Sequence, residues 1–294
     1  MKLKSSEPFW LVKNGNPHSY PSLRTNAATE ILIVGGGITG SLIAHQCLED
    51  GYETMLVDGR EIAHGSTSAT TSMLQYEIDT PLHTLVEKIG EKGAVASYQA
   101  CHQSIDDLGK LVRKIKSGCG FRKKQSLYFA AYKKDVDGLK REFDARAANG
   151  FPVEWLDAVE IEKKYKLHQA HGGILSEQGA NMDAFRFTHD MLAYNVKRGL
   201  IIYDKTKTEP LVYSRNYVTV PTEHGTFIKA KKVIYCTGYE SVNMIPENFV
   251  RLHSTYAIVG EQQSQHPDHL NDTLFFGIRH DHICISVLPM INAY

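Results

Sequence analysis

An α/β layer fold is what this sequence predicts, on three observations. Short apolar runs alternate with segments of helical spacing along most of the 294 residues. The run Glu30-Ile31-Leu32-Ile33-Val34 breaks into Gly35-Gly36-Gly37, the punctuation of a buried strand ending in a tight turn. Residues 39–50 then have helical spacing, Gly51 supplies a stop, and residues 53–57 read as a second strand. Together these make one β-α-β crossover of about thirty residues.

The other elements follow from spacing. Residues 1–28 are polar and turn-rich, with Pro8, Pro17 and Pro21, and read as an irregular arm. Residues 82–118 are largely helical, with Leu108, Leu111, Val112 and Ile115 recurring at intervals of three and four. A strand at 126–132, a helix at 133–149, a short strand at 172–176 and a helix at 183–198 come next. Strands are then expected at 200–203, 211–220 and 226–229, with a turn at His224-Gly225. A further apolar strand at 233–236 runs into Thr237-Gly238.

Composition bounds the function. Hydrophobic residues at 42% and charged residues at 22% suit a chain with a real core, and the length suits two domains. Lys plus Arg equals Asp plus Glu at 33 each, which gives no reason to expect nucleic acid or an anionic membrane as partner. Basic runs such as Arg122-Lys123-Lys124 read as solvated surface. The five cysteines show no paired or metal-type spacing, and no run suits a signal peptide or a membrane span, so a cytoplasmic protein is expected. No metal is expected either. His168 and His171 read as surface residues, and His266 and His269 as parts of a loop.

The chemistry begins at Gly35-Gly36-Gly37-Ile38-Thr39-Gly40, which satisfies G-x-G-x-x-G. Gly35 permits the sharp exit from the strand, Gly37 lets backbone amides reach a pyrophosphate, and Gly40 lets the helix pack on the sheet. Unpaired amides and the dipole at the helix start attract the phosphates. Asp58 ends the second strand eighteen residues after Gly40. A carboxylate there can accept both ribose hydroxyls of an adenosine and would repel a 2′-phosphate. The turn does not distinguish NAD from FAD. The small, hydroxyl-rich loop at 62–74 points to FAD, because small residues let a planar ring system approach the backbone.

These residues resemble the opening of the D-amino-acid-oxidase family of FAD-dependent oxidoreductases. The resemblance is carried by residues 33–40, Asp58 and Gly65-Ser66-Thr67-Ser68, with an upstream Pro8-Phe9-Trp10 and Tyr20-Pro21 like the arm of its bacterial amine-oxidising branch. Residues 179–183 with 199–203, and 232–239 ending in Thr237-Gly238-Tyr239, resemble the family's later segments. The resemblance implies a discontinuous Rossmann-like FAD-binding domain at 27–81, 173–205 and 228–245. It implies a mixed α+β substrate domain at 82–172 and 246–294, an arm at 1–26 and a connecting hairpin at 206–227. Gly35, Gly37, Ile38, Thr39 and Gly40 would hold the pyrophosphate, Asp58 the ribose, and Arg60 would lie on the adenosine side. Ser66, Thr67, Ser68 and Thr71 would line the pyrophosphate and flavin, and Thr237 and Gly238 would close over the cofactor. The implied reaction oxidises the C–N bond of an amine or amino acid, with oxygen or another acceptor reoxidising the flavin. An NAD-linked dehydrogenase and an inactive or purely binding chain are the competing readings. No catalytic residue is nominated.

The tail departs from this pattern. The family continues well beyond this length, so the C-terminal part of the fold is expected to be missing. Codons permitted for residues 275–294, read two bases later, can spell Phe-Trp-Asp-Thr-Ala-Arg-Pro-Tyr, which resembles the family's own continuation. The hypothesis is that residues from about 275 onward are a frameshift product, with one base lost in a T-rich run at Phe275-Phe276. His280-Asp281-His282 would then be an accident of frame. Resequencing across that run decides the matter, and an intact frame there would remove the idea.

Overall fold

The computed structural model describes residues 7–245, 247, 250–251, 272–278 and 283–286. In chain order the elements are α1 (Phe9–Asn14), β1 (Ala27–Val34), α2 (Ile38–Glu49), β2 (Thr54–Val57), β3 (Met73–Gln75), α3 (Leu82–Ile89), α4 (Glu91–Ile115), β4 (Arg122–Ala130), α5 (Val136–Ala148) and β5 (Val153–Leu156). They continue with α6 (Ala158–Tyr165), β6 (Gly173–Asn181), α7 (Ala184–Val196), β7 (Ile201–Tyr203), β8 (Val212–Tyr213), β9 (Val218–Pro221), β10 (Phe227–Tyr235), β11 (Thr273–Ile278) and β12 (Ile283–Ser286). The chain divides into two compact units. One holds Met1–Thr70, Ile115–Cys119 and Asp183–Val259, and the other holds Thr71–Lys114, Gly120–Met182 and Gly260–Tyr294.

The first unit is built on a six-stranded sheet of order β7-β2-β1-β10-β9-β8. β7, β2, β1 and β10 run parallel, and β9 and β8 continue the sheet antiparallel. Ile31, Leu32, Ile33 and Val34 are all buried, as a central parallel strand covered on both faces requires. Leu32, Val34, Met55, Val57, Ile228 and Ala230 join Leu23 of the arm in one core. α2 and α7 pack together, with a buried 3.0 Å bond between His45 Nδ1 and Asn195 Oδ1 and a 2.7 Å ion pair between Arg198 and Glu49. Asp183 caps α7 by accepting from the Arg186 amide at 2.9 Å, which stabilises the first turn.

The second unit has its own sheet, of order β12-β11-β4-β6-β3, with β5 also pairing with β6. Its interior is aromatic and charged at once. Tyr76 and Phe151 stack at 5.5 Å, with Tyr98 edge-on to both. Beside them Arg146, 1% exposed, bonds Glu142 at 2.7 Å and Glu77 at 3.0 Å.

Several sequence expectations need correction. The arm carries a helix, α1, where an irregular segment was expected. The helical stretch from 82 is two helices, broken where Gly90 adopts φ +83°. The strands expected at 226–229 and 233–236 are one nine-residue strand, β10, paired with β1 along its length. Lys231 and Lys232 disguise it, because their exposed side chains interrupt the apolar pattern without interrupting the ladder. The strand expected at 211–220 is two short ones parted by a turn closed from Ser214 to Tyr217. Lys124 is buried on β4, so the basic run is not all solvated surface. His266, His269, His280 and His282 lie outside the described residues. No helix among the described residues is long and apolar enough to cross a membrane.

His189 on α7 is fully buried with neither ring nitrogen hydrogen-bonded, against Phe185 at 4.6 Å and His18 at 6.1 Å. Burial, and then the neighbouring His18 and His64, push its pKa from 6.5 down to about 4. The neutral ring is therefore the folded form, while the unfolded chain takes up a proton below about 6.5. Its contribution is intact above that value and fades as pH falls towards 4. The loss is about 3 kcal/mol. Melting temperature measured between pH 7 and pH 4 should fall less steeply in His189→Leu than in the parent, and parallel curves would refute the assignment.

A candidate dinucleotide site

β1 delivers the chain to Gly35, which turns at φ +113° where a Cβ would stand 2.5 Å from the Cys236 carbonyl oxygen. A Cβ on Gly40 would stand 1.9 Å from the Gly35 carbonyl oxygen, so α2 crosses its own entry turn at backbone contact. Gly37 is the N-cap of α2 and supplies no side chain to it. The first amides of a helix have no partner inside it. Here the Ile38 amide donates to Thr67 Oγ1 at 3.1 Å, and Thr39 is exposed at the same end. The Thr67 hydroxyl thus takes the Ile38 amide, and no side-chain cap comes from Gly37 itself.

Asp58 closes one side. Its Oδ2 accepts from the Gly36 amide at 2.7 Å and its Oδ1 from the Arg60 amide at 2.8 Å. Burial holds the carboxyl above its usual range, and the two amides and the Arg60 guanidinium offset part of that rise. Each oxygen keeps a lone pair for a further donor. Arg60 itself forms a two-pronged pair with Glu240, at 2.7 and 3.0 Å. Glu240 is what the sequence reading missed. It sits two residues past Gly238 with no motif to mark it, and its partner is 180 residues away.

The remaining candidates divide. Ser66, Thr67 and Ser68 lie in a 3-10 turn, Ser66–Ala69, with Thr67 and Ser68 buried. Ser68 Oγ donates to the Gly65 carbonyl at 2.8 Å and so braces the turn. Thr237 shares a 2.9 Å hydroxyl bond with Ser241, and Gly238, at φ +57°, starts a 3-10 segment, Gly238–Met244. Gly35, Gly37, Ile38, Gly40, Asp58, Arg60, Thr67, Ser68 and Thr237 thus all belong to the first unit, and Thr71 falls in the second. The donor set fits an adenosine diphosphate. It combines a turn that admits no Cβ, backbone donors at a helix start, and an adjoining half-buried carboxylate.

Comparison with known proteins agrees. The profile of the DAO family, described as FAD dependent oxidoreductase, matches residues 30–290. A Bacillus subtilis protein described as a Rieske 2Fe-2S iron-sulfur protein, YhfW, is 22% identical over 237 residues, 80% of this chain and 45% of that one. Glycine oxidase from Geobacillus kaustophilus has the same fold at TM-score 0.63 and 18% identity, over 72% of this chain and 56% of that one. L-α-glycerophosphate oxidase from Mycoplasma pneumoniae, solved with FAD bound, superposes at TM-score 0.60 and 19% identity, over 74% of this chain and 56% of that one. The chain spans about half the length of the relatives it matches. Nothing among these matches supports an NAD-linked dehydrogenase.

Proposed function

The chain belongs to the DAO family of FAD-dependent oxidoreductases, and from that premise we propose that it binds FAD at the Gly35–Gly40 turn and oxidises the C–N bond of an amine or amino acid. The observation that carries the cofactor half is the Asp58 carboxylate fixed on the glycine turn beside the start of α2, whose N-cap Gly37 brings no side chain. FAD would supply the two-electron acceptor that takes hydride from the carbon bearing the nitrogen, and the amine proton would leave to solvent. Oxygen or another acceptor would take the electrons onward. The protein's own part is positional. The Thr39 and Gly40 amides would take the diphosphate beside Ile38, whose own amide is held by Thr67, Asp58 would accept ribose hydroxyls, and Ser68 would brace the Thr67 turn. Thr237 and Gly238 would close over the cofactor, and Arg60, tied to Glu240, would lie on its adenosine side. The amine half draws on the glycine oxidase likeness.

The purified chain is expected to be yellow, with absorbance near 450 nm, and to reduce an acceptor in the presence of some member of an amine and amino-acid panel. A colourless chain that leaves added FAD fluorescence unquenched would overturn the reading. Asp58→Ala removes two charge-assisted acceptors and should weaken FAD at least tenfold, because each such bond is worth roughly 1.5–3 kcal/mol. Titration of FAD fluorescence measures it, and unchanged affinity would exclude Asp58 from the site.

A further inference from the structure

α1 has only six residues, too few to persist without outside contacts. Its contacts are specific. Trp10, buried, donates from Nε1 to the Thr70 carbonyl at 2.7 Å. Asn14 Nδ2 and Lys13 Nζ reach Asp183 Oδ2 at 2.9 and 3.1 Å, and the Lys13 ammonium lies 5.0 Å over the Trp10 ring. Asp183 meanwhile caps α7 with its other oxygen. The helix is therefore tied at one end to the start of α7 and at the other to the carbonyl that ends the Ser66–Ala69 turn. That turn carries Thr67, whose hydroxyl meets the Ile38 amide at the helix start.

We propose that Trp10 is a positioning residue for the dinucleotide site. By gripping the Thr70 carbonyl it fixes the turn that places Thr67 against the phosphate-facing amides. The proposal rests on the FAD reading above and adds a part to it that lies some twenty-five residues ahead of the glycine motif. A buried indole N–H takes an acceptor wherever it lies, and what gives this one a positional role is that its acceptor is the carbonyl ending the Thr67 turn.

Trp10→Phe keeps most of the ring and loses the donor. Compared with the parent, it should bind FAD three- to tenfold more weakly, the scale of one hydrogen bond. The ligand-free variant should also exchange the Ile38, Thr67 and Ser68 amides faster. Leu139→Ala, a core truncation in the other unit, is the control for mere destabilisation. It should lower the melting temperature and leave FAD affinity unchanged. If Trp10→Phe fails to fold, Asn14→Ala loosens the same helix without removing a core atom, and it should weaken FAD in the same direction. Equal FAD affinity in parent and folded variants overturns the proposal alone. A parent chain that takes up no FAD overturns the cofactor reading and this proposal with it.

Discussion

Replacing Arg146 with Met lowers stability by about 3–5 kcal/mol, on the order of 10 °C in melting temperature. The guanidinium is buried within α5. It holds Glu142 through Nε at 2.7 Å and Glu77 through a terminal nitrogen at 3.0 Å, with the rings of Tyr76, Tyr98 and Tyr128 within 6 Å. Removing it strands two buried carboxylates, and Glu77 already has one oxygen without a partner. Glu142 is also bonded by the amide and ring of His83 at 3.1 and 2.9 Å, so it joins α3 to α5. Burial pushes the Glu142 pKa up, but Arg146 and His83 outweigh it, and the net shift is downward. A depressed carboxylate stabilises the fold above its ordinary pKa, and that stability is lost as pH falls below it. The deficit of Arg146→Met should therefore shrink in acid. Thermal melts at pH 7 and pH 4 test both points, and a variant that melts with the parent at pH 7 would sink the account. Removing all three charges, with Glu77→Gln and Glu142→Gln added, should recover much of the loss.

Gly40→Ala abolishes productive FAD binding, with affinity down roughly 100-fold or more, equivalent to about 2.7 kcal/mol. The new methyl would lie 1.9 Å from the Gly35 carbonyl oxygen, a backbone atom with no rotamer to relieve it. α2 must back away, and the Ile38 and Thr39 amides move with it. Gly138→Ala in α5 is the matched control. It meets nothing within 4 Å and should leave FAD affinity alone while adding about 0.5–1 kcal/mol of helix stability. Fluorescence titration of both proteins gives the answer. A Gly40→Ala chain that binds as the parent does would show that the turn is not the phosphate cradle.

The crossover at the front of the chain was legible because its constraints are local. Gly35 turns at positive φ, Gly40 must be glycine because the Gly35 carbonyl lies five residues before it, and Asp58 stands at the end of the next strand. Elements failed where tertiary pairing overrides local pattern. β10 was read as two strands because Lys231 and Lys232 sit mid-ladder, yet the partner β1 holds Ile228 to Tyr235 in one register. The arm's helix is invisible in a Pro-rich segment, since α1 exists by virtue of Asp183 and Thr70 far along the chain. The Arg146 cluster gathers Glu77 from the loop after β3, Ser126 from β4 and Glu142 from its own helix. Nothing in the helical spacing at 133–149 singles Arg146 out. Glu240 was missed for the same reason, because nothing near it announces Arg60.

The Asp58 carboxylate grips the Gly36 amide as well as standing at a strand end. Acid and glycine bend are thus one rigid casting, and any shift in one is transmitted to the other. A lineage that altered the acid would have to re-solve the bend, and one that altered the bend would misplace the acid. On the proposed reading the sugar and the diphosphate would be sensed together, and a nucleotide lacking either would meet a socket already shaped for both.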